Sequence, residues 1–169
     1  MRVFRVIALI GFIAFFVGFV APDHAVAGEK FKVRIVKHNT KWHPIAVPCE
    51  GGKVVGSFEE KGVSTNMGGK AIWEGWADTA VGLWEANSKT GVGLGYGYSE
   101  STDRDGDKIY PRWEGKKAQG DPRSGGTTTI AKGTGKWEGI QGQGARVTTA
   151  VAPGQSYNDI EWDIGLPPR

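Results

Sequence analysis

With a single cysteine, Cys49, this chain cannot form an internal disulfide, so its stability must come from packing. No catalytic neighbourhood surrounds Cys49 in the sequence, and it reads as a buried or tolerated thiol rather than a nucleophile. The serine-hydrolase signature G-x-S-x-G is missing, and no Ser/His/Asp set stands out. His38 and His43 have neither an H-x-x-x-H spacing nor a Cys/His partner set, which removes the common zinc patterns. Blocks of like charge are missing as well. A net charge of +3 at pH 7, spread along the chain, describes a solvated surface and no nucleic-acid footprint. Residues 133–144, GTGKWEGIQGQG, match neither G-x-x-x-x-G-K-[ST] nor G-x-G-x-x-G, so no phosphate cradle is expected. No long amphipathic helical pattern is found.

The first residues carry a different signal. Arg2 and Arg5 precede an apolar run over 6–21, followed by Ala25, Val26 and Ala27. A basic start, an apolar stretch and an A-x-A site together predict a secretory signal peptide over residues 1–27. The run is shorter than the roughly 20 residues a spanning helix needs. An uncleaved anchor is the alternative; after cleavage no stable membrane insertion is expected. Residues 28–169 then form one domain, destined for the periplasm or the extracellular space.

Glycine and tryptophan are abundant, at 27 and 7 residues. Residues 91–101 alternate strictly: Gly91, Gly93, Gly95, Gly97, Ser99 and Ser101 on one face, Val92, Leu94, Tyr96, Tyr98 and Glu100 on the other. That is a β-strand with one bare face. So much glycine weakens a strand unless something must approach its backbone. Residues 103–107, DRDGD, turn the chain, and 108–113 return as the second arm of a hairpin. Period-two patterns also predict strands over 31–35, 53–61 (Gly56 as a bulge), 70–83, 127–132, 145–151 and 157–164. Residues 39–52 read as a loop or irregular edge, 62–69 as a turn-rich connection, and 114–124 as turn-like. About eight short strands with regular turn signals predict an all-β fold, a single eight-stranded antiparallel β-barrel. Trp-Glu-Gly occurs at 73–75, 113–115 and 137–139, but its unequal spacing argues against a repeat architecture.

Two sets of residues carry candidate chemistry. Asp103, Asp105 and Asp107 place carboxylates at alternate positions, as a calcium site requires. Here, however, glycine is fourth in the loop rather than sixth, and a tight Asp-Gly turn explains the same residues without metal. Calcium is the one cofactor these residues suggest. Trp73, Glu74, Tyr96 and Trp113 are candidates for lining a ligand cavity, the aromatics against the alternative of core or interface packing. Trp73 and Trp76 are expected on opposite faces of one strand. Glu60 and Glu74, placed on strands, are the acid–base candidates if they point inward. Trp42, His43 and Pro44 read as packing at a barrel mouth.

The GTGKWEGIQGQG segment, lying between two strands, resembles the G-x-G-K/R-aromatic-x-G-x-x-G segment of the allene oxide cyclase and dirigent-type barrel superfamily. GYGYSESTDRDGDKIYPRWEGK looks like the central hairpin of exported bacterial relatives of that group. The likeness spans residues 53–151. It implies an eight-stranded antiparallel barrel, often oligomeric, whose enzymes hold a reactive apolar molecule and steer its cyclisation by shape. No catalytic residue of the superfamily maps onto a position here, so the likeness speaks to fold more than to activity.

These readings leave three functions open. The first is an exported barrel that binds a small hydrophobic molecule, with cyclase or isomerase action by confinement; it calls for a closed apolar cavity of roughly 300 Å³ or more. The second is a non-catalytic structural or interaction protein, as a homo-oligomer, which calls for an apolar outer face. The third is a calcium-stabilised module.

Overall fold

A computed structural model describes residues 28–69 and 72–166. The leader expected over residues 1–27 lies outside them. Eight strands run in sequence: β1 (Glu29–Ala46), β2 (Lys53–Gly68), β3 (Ala77–Asn87), β4 (Gly93–Thr102), β5 (Lys108–Lys117), β6 (Arg123–Gly133), β7 (Gln141–Ala152) and β8 (Gln155–Gly165). Each pairs antiparallel with the next, and β8 pairs with β1, closing the barrel. Closure leaves no sheet edge around most of the wall. The only helical element among the described residues is a 3-10 turn, Gly135–Trp137, before β7.

One end of the barrel is plugged. Phe31, Val33, Ile35, Ile109, Ile130, Ile140, Ile160, Trp162 and Ile164 point inward and form a continuous apolar core with Trp73 and Trp76. Those two tryptophans come from the short β2–β3 connection, which folds across the opening. Trp73 is 1% exposed. Its ring stacks on Trp162 (5.2 Å, 7°) and contacts Phe31 (5.7 Å) and Trp76 (5.0 Å). To reach this place Trp73 adopts φ +65°, a left-handed conformation costing about 1–2 kcal/mol. Ser64 braces the turn. Its hydroxyl donates to the Trp73 carbonyl (2.5 Å) and accepts the Trp76 N–H (3.1 Å). A large stacked ring and two hydrogen bonds offset the strain.

Several local expectations change. Residues 70–83 are not one strand: a turn containing residues 72–75 precedes β3. Trp73 and Trp76 therefore share the core instead of facing opposite ways. Residues 39–46, expected as a loop, extend β1, with a register shift between Asn39 and Lys41. Beyond His38, β1 pairs with β2 alone. Pro44 lies on that stretch, which is paired on one side only, where proline is tolerated. Residues 62–68 continue β2, and 114–117 continue β5. The glycines that suggested turns serve close packing instead. A Cβ at Gly62 would lie 2.9 Å from Lys37 Cγ, and one at Gly56 would lie 2.9 Å from the Trp84 indole. Gly56 is in register with both neighbours and is not a bulge. Cys49 is exposed, not buried, on the β1–β2 connection.

Candidate functional site

Above the apolar plug the barrel interior becomes polar. Lys37 of β1 and Asp78 of β3, both almost fully buried, form an ion pair of 2.9 Å. The Ser101 hydroxyl donates to the other Asp78 oxygen at 2.8 Å. Glu60 of β2 places a carboxylate oxygen 4.0 Å from Lys37 Nζ. Burial pushes the Glu60 carboxyl above its ordinary pKa, against the attraction of Lys37 and Arg146. Side chains fill this layer so well that about 10 Å³ remains, space for one water at most.

The opposite end is open, and there the interior widens into a cleft of about 280 Å³. Trp42, Phe58, Trp84 and Trp113 supply its aromatic surface, and Glu60, Arg146 and Asn158 its polar one. The rings form a chain. Trp42 stacks on Trp84 (4.6 Å, 11°) and touches Phe58 (6.2 Å), which stacks on Trp113 (5.6 Å, 29°). The bare face of β4 makes this possible. Gly95, Gly97, Ser99 and Ser101 do face inward, and the Trp113 ring lies against Gly97 and Gly82, where a Cβ would come within 2.5 Å of it.

Arg146 of β7 lies in the same cleft, its guanidinium 4.6 Å from the Trp113 ring centroid. Stacking of this kind compensates part of the cost of burying the charge. Burial still lowers its pKa to about 10, opposed by the attraction of Glu60. Five buried polar atoms on cleft residues have no hydrogen-bond partner: Trp84 Nε1, Trp113 Nε1, Arg146 Nε, Thr148 Oγ1 and Asn158 Oδ1. Buried polar groups are normally paired, so such a group in one place marks a site short of partners.

The sequence candidates divide. Trp113 lines the cleft. Trp73 is locked in the plug at the far end. Tyr96 is half exposed on the barrel's outer face, in a groove with Ile45, Val55, Leu83 and Leu94. Glu74 is exposed in the β2–β3 turn, where it accepts the Asn66 N–H at 2.7 Å; it is not on a strand and does not line the cleft. Glu60 does face inward. Trp42 packs at the mouth, as expected.

The DRDGD turn sits at the plugged end, and its carboxylates have protein partners. Asp103 accepts the backbone N–H groups of Asp105 (2.9 Å) and Asp107 (3.0 Å) and the Trp137 indole N–H (2.9 Å). Lys136 Nζ lies 2.8 Å from Asp103 and also pairs with Asp105. Asp107 accepts the Lys136 backbone N–H at 3.3 Å. Burial raises the Asp103 pKa, but the bonds from Lys136, Trp137 and the two backbone groups outweigh it and hold the carboxyl below its ordinary value. A lysine ammonium thus stands where a cation would. Among the described residues no cluster of three His, Cys, Asp or Glu side chains is arranged to hold a metal.

Arg146, Lys37, Trp84 and Phe58 were not singled out in the sequence. For Arg146 a signal existed. In β7 the positions 145, 147, 149 and 151 form the more apolar set, and they face outward; Gly144, Arg146 and Thr148 face the interior.

No family model matches this chain, and no curated protein is recognisably similar to it in sequence. Among solved structures, the chain is similar to the pterocarpan synthase dirigent protein GePTS1, with a TM-score of 0.54 and 11% identity, covering 91% of this chain and 100% of that one. It is also similar to a protein of unknown function from the DUF3224 family of Shewanella oneidensis MR-1, with a TM-score of 0.50 and 16% identity over 83% and 100% of the two chains. At these identities the likeness is one of fold, and it agrees with the dirigent-type resemblance of residues 53–151: the chain is a closed eight-stranded antiparallel barrel of the kind dirigent proteins have.

Proposed function

We propose that this protein is an exported barrel that binds a small, largely hydrophobic molecule in the cleft at its open end. The observation that carries this reading is the cleft itself: about 280 Å³ walled by four aromatic rings, above an interior that is otherwise filled. The volume sits just below the usual range for small-molecule sites, and the mixture of apolar walls with a few polar groups is typical of them. The cleft is open and has a charged floor, unlike the closed apolar cavity expected from sequence. A ligand would lie with one end buried and the other in solvent. The fold likeness to a dirigent protein named as a pterocarpan synthase supports a further step, in which the rings fix the pose of a reactive ligand. Glu60 is a cleft carboxyl with a raised pKa, suited to moving a proton in such a step.

The neutral fluorophore N-phenyl-1-naphthylamine tests the binding reading. Its emission should rise when it enters the cleft. Gly95→Leu should abolish the rise, because a Cβ at Gly95 meets nothing closer than 3.3 Å and the larger side chain extends into the cleft. Undiminished binding by a folded Gly95→Leu variant would place the dye elsewhere and remove the reading.

A second reading rests on a separate observation. The outer face of β3 and β4 exposes Val81, Leu83, Leu94, Tyr96 and Tyr98, each between 41% and 53% accessible. Val81 pairs with Tyr98 and Leu83 with Tyr96, so the five residues form one patch. Contiguous apolar surface of this kind favours a self-associating or interaction protein. The two readings are compatible, since the cleft opens into the interior and the patch faces outward, the two meeting at Leu94.

A further inference from the structure

We infer that the ligand of this cleft carries a carboxylate head group, seated against Arg146, with its apolar body against Trp42, Phe58 and Trp84. This inference rests on the binding reading above and names the class of ligand.

Arg146 is the starting point. Among the described residues no carboxylate lies within ion-pair distance of its guanidinium, and its Nε has no partner. Its neighbours from each facing strand are accounted for. Asp78 of β3 is spent on Lys37 and Ser101. Glu60 of β2 approaches Lys37 instead, at 4.0 Å. At the rim, Glu85 pairs with Lys53 at 3.5 Å, while Lys117 also borders the cleft. The cations of the cleft are thus less well matched than its anions. Glu60 attracts this guanidinium only from beyond ion-pair contact; a largely buried guanidinium without a contacting anion is costly, and its planar fork fits a carboxylate.

The barrel also makes room for this group. A Cβ at Gly115 would lie 2.7 Å from an Arg146 terminal nitrogen. Glycine at that position lets the guanidinium lie between β5 and the Trp113 ring. The Trp84 and Trp113 indole N–H groups are further donors without acceptors on cleft residues. Asn158 Oδ1 is an acceptor without a donor, but the charged member of the set is Arg146, and a guanidinium matches a group that only accepts hydrogen bonds. An ionised carboxylate is such a group; an alcohol or amine is not.

The test compares 2-naphthoate with neutral 2-naphthylmethanol, which has the same ring and similar size, by calorimetric titration of the intact protein at pH 7. Naphthoate should bind at least about tenfold more tightly, as expected for a charge-assisted pair in a partly dry site. Arg146→Gln should bind the two probes with similar affinity, whereas Arg146→Lys should keep part of the preference. The wild-type protein gives an independent reading if the variants do not fold: the Arg146 Nε–H resonance should move downfield with naphthoate, as an ion pair requires, and not with the alcohol. Equal affinity for both probes would overturn the head-group assignment and leave the cleft as a binding site. Failure of both probes to bind would overturn the cleft reading and this inference with it.

Discussion

Glu60 and Arg146 show how the barrel treats a charge it cannot fully solvate. Each is displaced from its ordinary pKa towards the neutral form by burial, and each is drawn back by the other. For Glu60 the consequence is a pH dependence of known sign. Its folded pKa lies above the unfolded value of about 4.5. The folded protein therefore binds more protons than the unfolded chain between those two values, and stability falls as pH rises through them. Urea unfolding of the wild type and of Glu60→Gln across this window should show that negative slope in the wild type alone. A slope shared by both would assign it to other groups. Lys37 and Asp78, in contrast, are both buried but paired at 2.9 Å. A partner in contact, rather than one acting from a distance, is the difference between the two pairs.

At the scale of elements, the DRDGD turn and the 3-10 turn Gly135–Trp137 act as one clasp at the plugged end. Asp103 joins them through Trp137 and Lys136, and the Trp137 ring packs 5.2 Å from Trp76. Asp103→Ala would leave two backbone N–H groups and an indole N–H without an acceptor. We expect a loss of about 2–4 kcal/mol in unfolding free energy, since bonds to a carboxylate count for about 1.5–3 each and part is regained from water. The same carboxyl has a folded pKa below its unfolded value, so its contribution is present above about 3.8 and fades as pH falls through the folded pKa. Exchange of calcium for a chelator should leave the melting temperature unchanged, because Lys136 already balances these carboxylates; an increase with calcium would restore the metal reading. The turn itself was legible in the sequence, since Asp and Gly at those positions satisfy a hairpin locally. Its lysine partner was not, because Lys136 arrives from a later connection. The β2–β3 connection was misread for a related reason. Trp73 has the residue type of a strand, and only its stacking on Trp162 of β8 rewards the left-handed backbone it adopts.

For the whole molecule, closure of the sheet divides the surface into an interior, graded from apolar plug to polar floor to aromatic mouth, and an outer wall with a greasy sector on β3 and β4. Val81, Leu83, Tyr96 and Tyr98 are too exposed to serve the barrel's own core. If they meet a second copy, sedimentation at micromolar concentration should give an oligomer, and Leu83→Glu should return it to monomer without a change in melting temperature beyond that due to dissociation. A monomeric wild type would leave the sector to another partner.

The sequence by itself determined the strands that alternate cleanly, the hairpin turn, the β-barrel class and the bare face of β4. These depend on period-two patterning and turn chemistry, which act between near neighbours. Tertiary structure decided which tryptophan plugs and which lines. It brought Lys37 to Asp78 and Arg146 to Trp113, and it turned Tyr96 outward while Trp113 turned in. Alternation separates two faces but does not say which is inside. That choice follows from closing β8 onto β1, after which several large inward rings stand opposite a glycine. Gly97 beside Trp113 and Gly56 beside Trp84 are such pairs, and pairing across strands is what no local pattern contains.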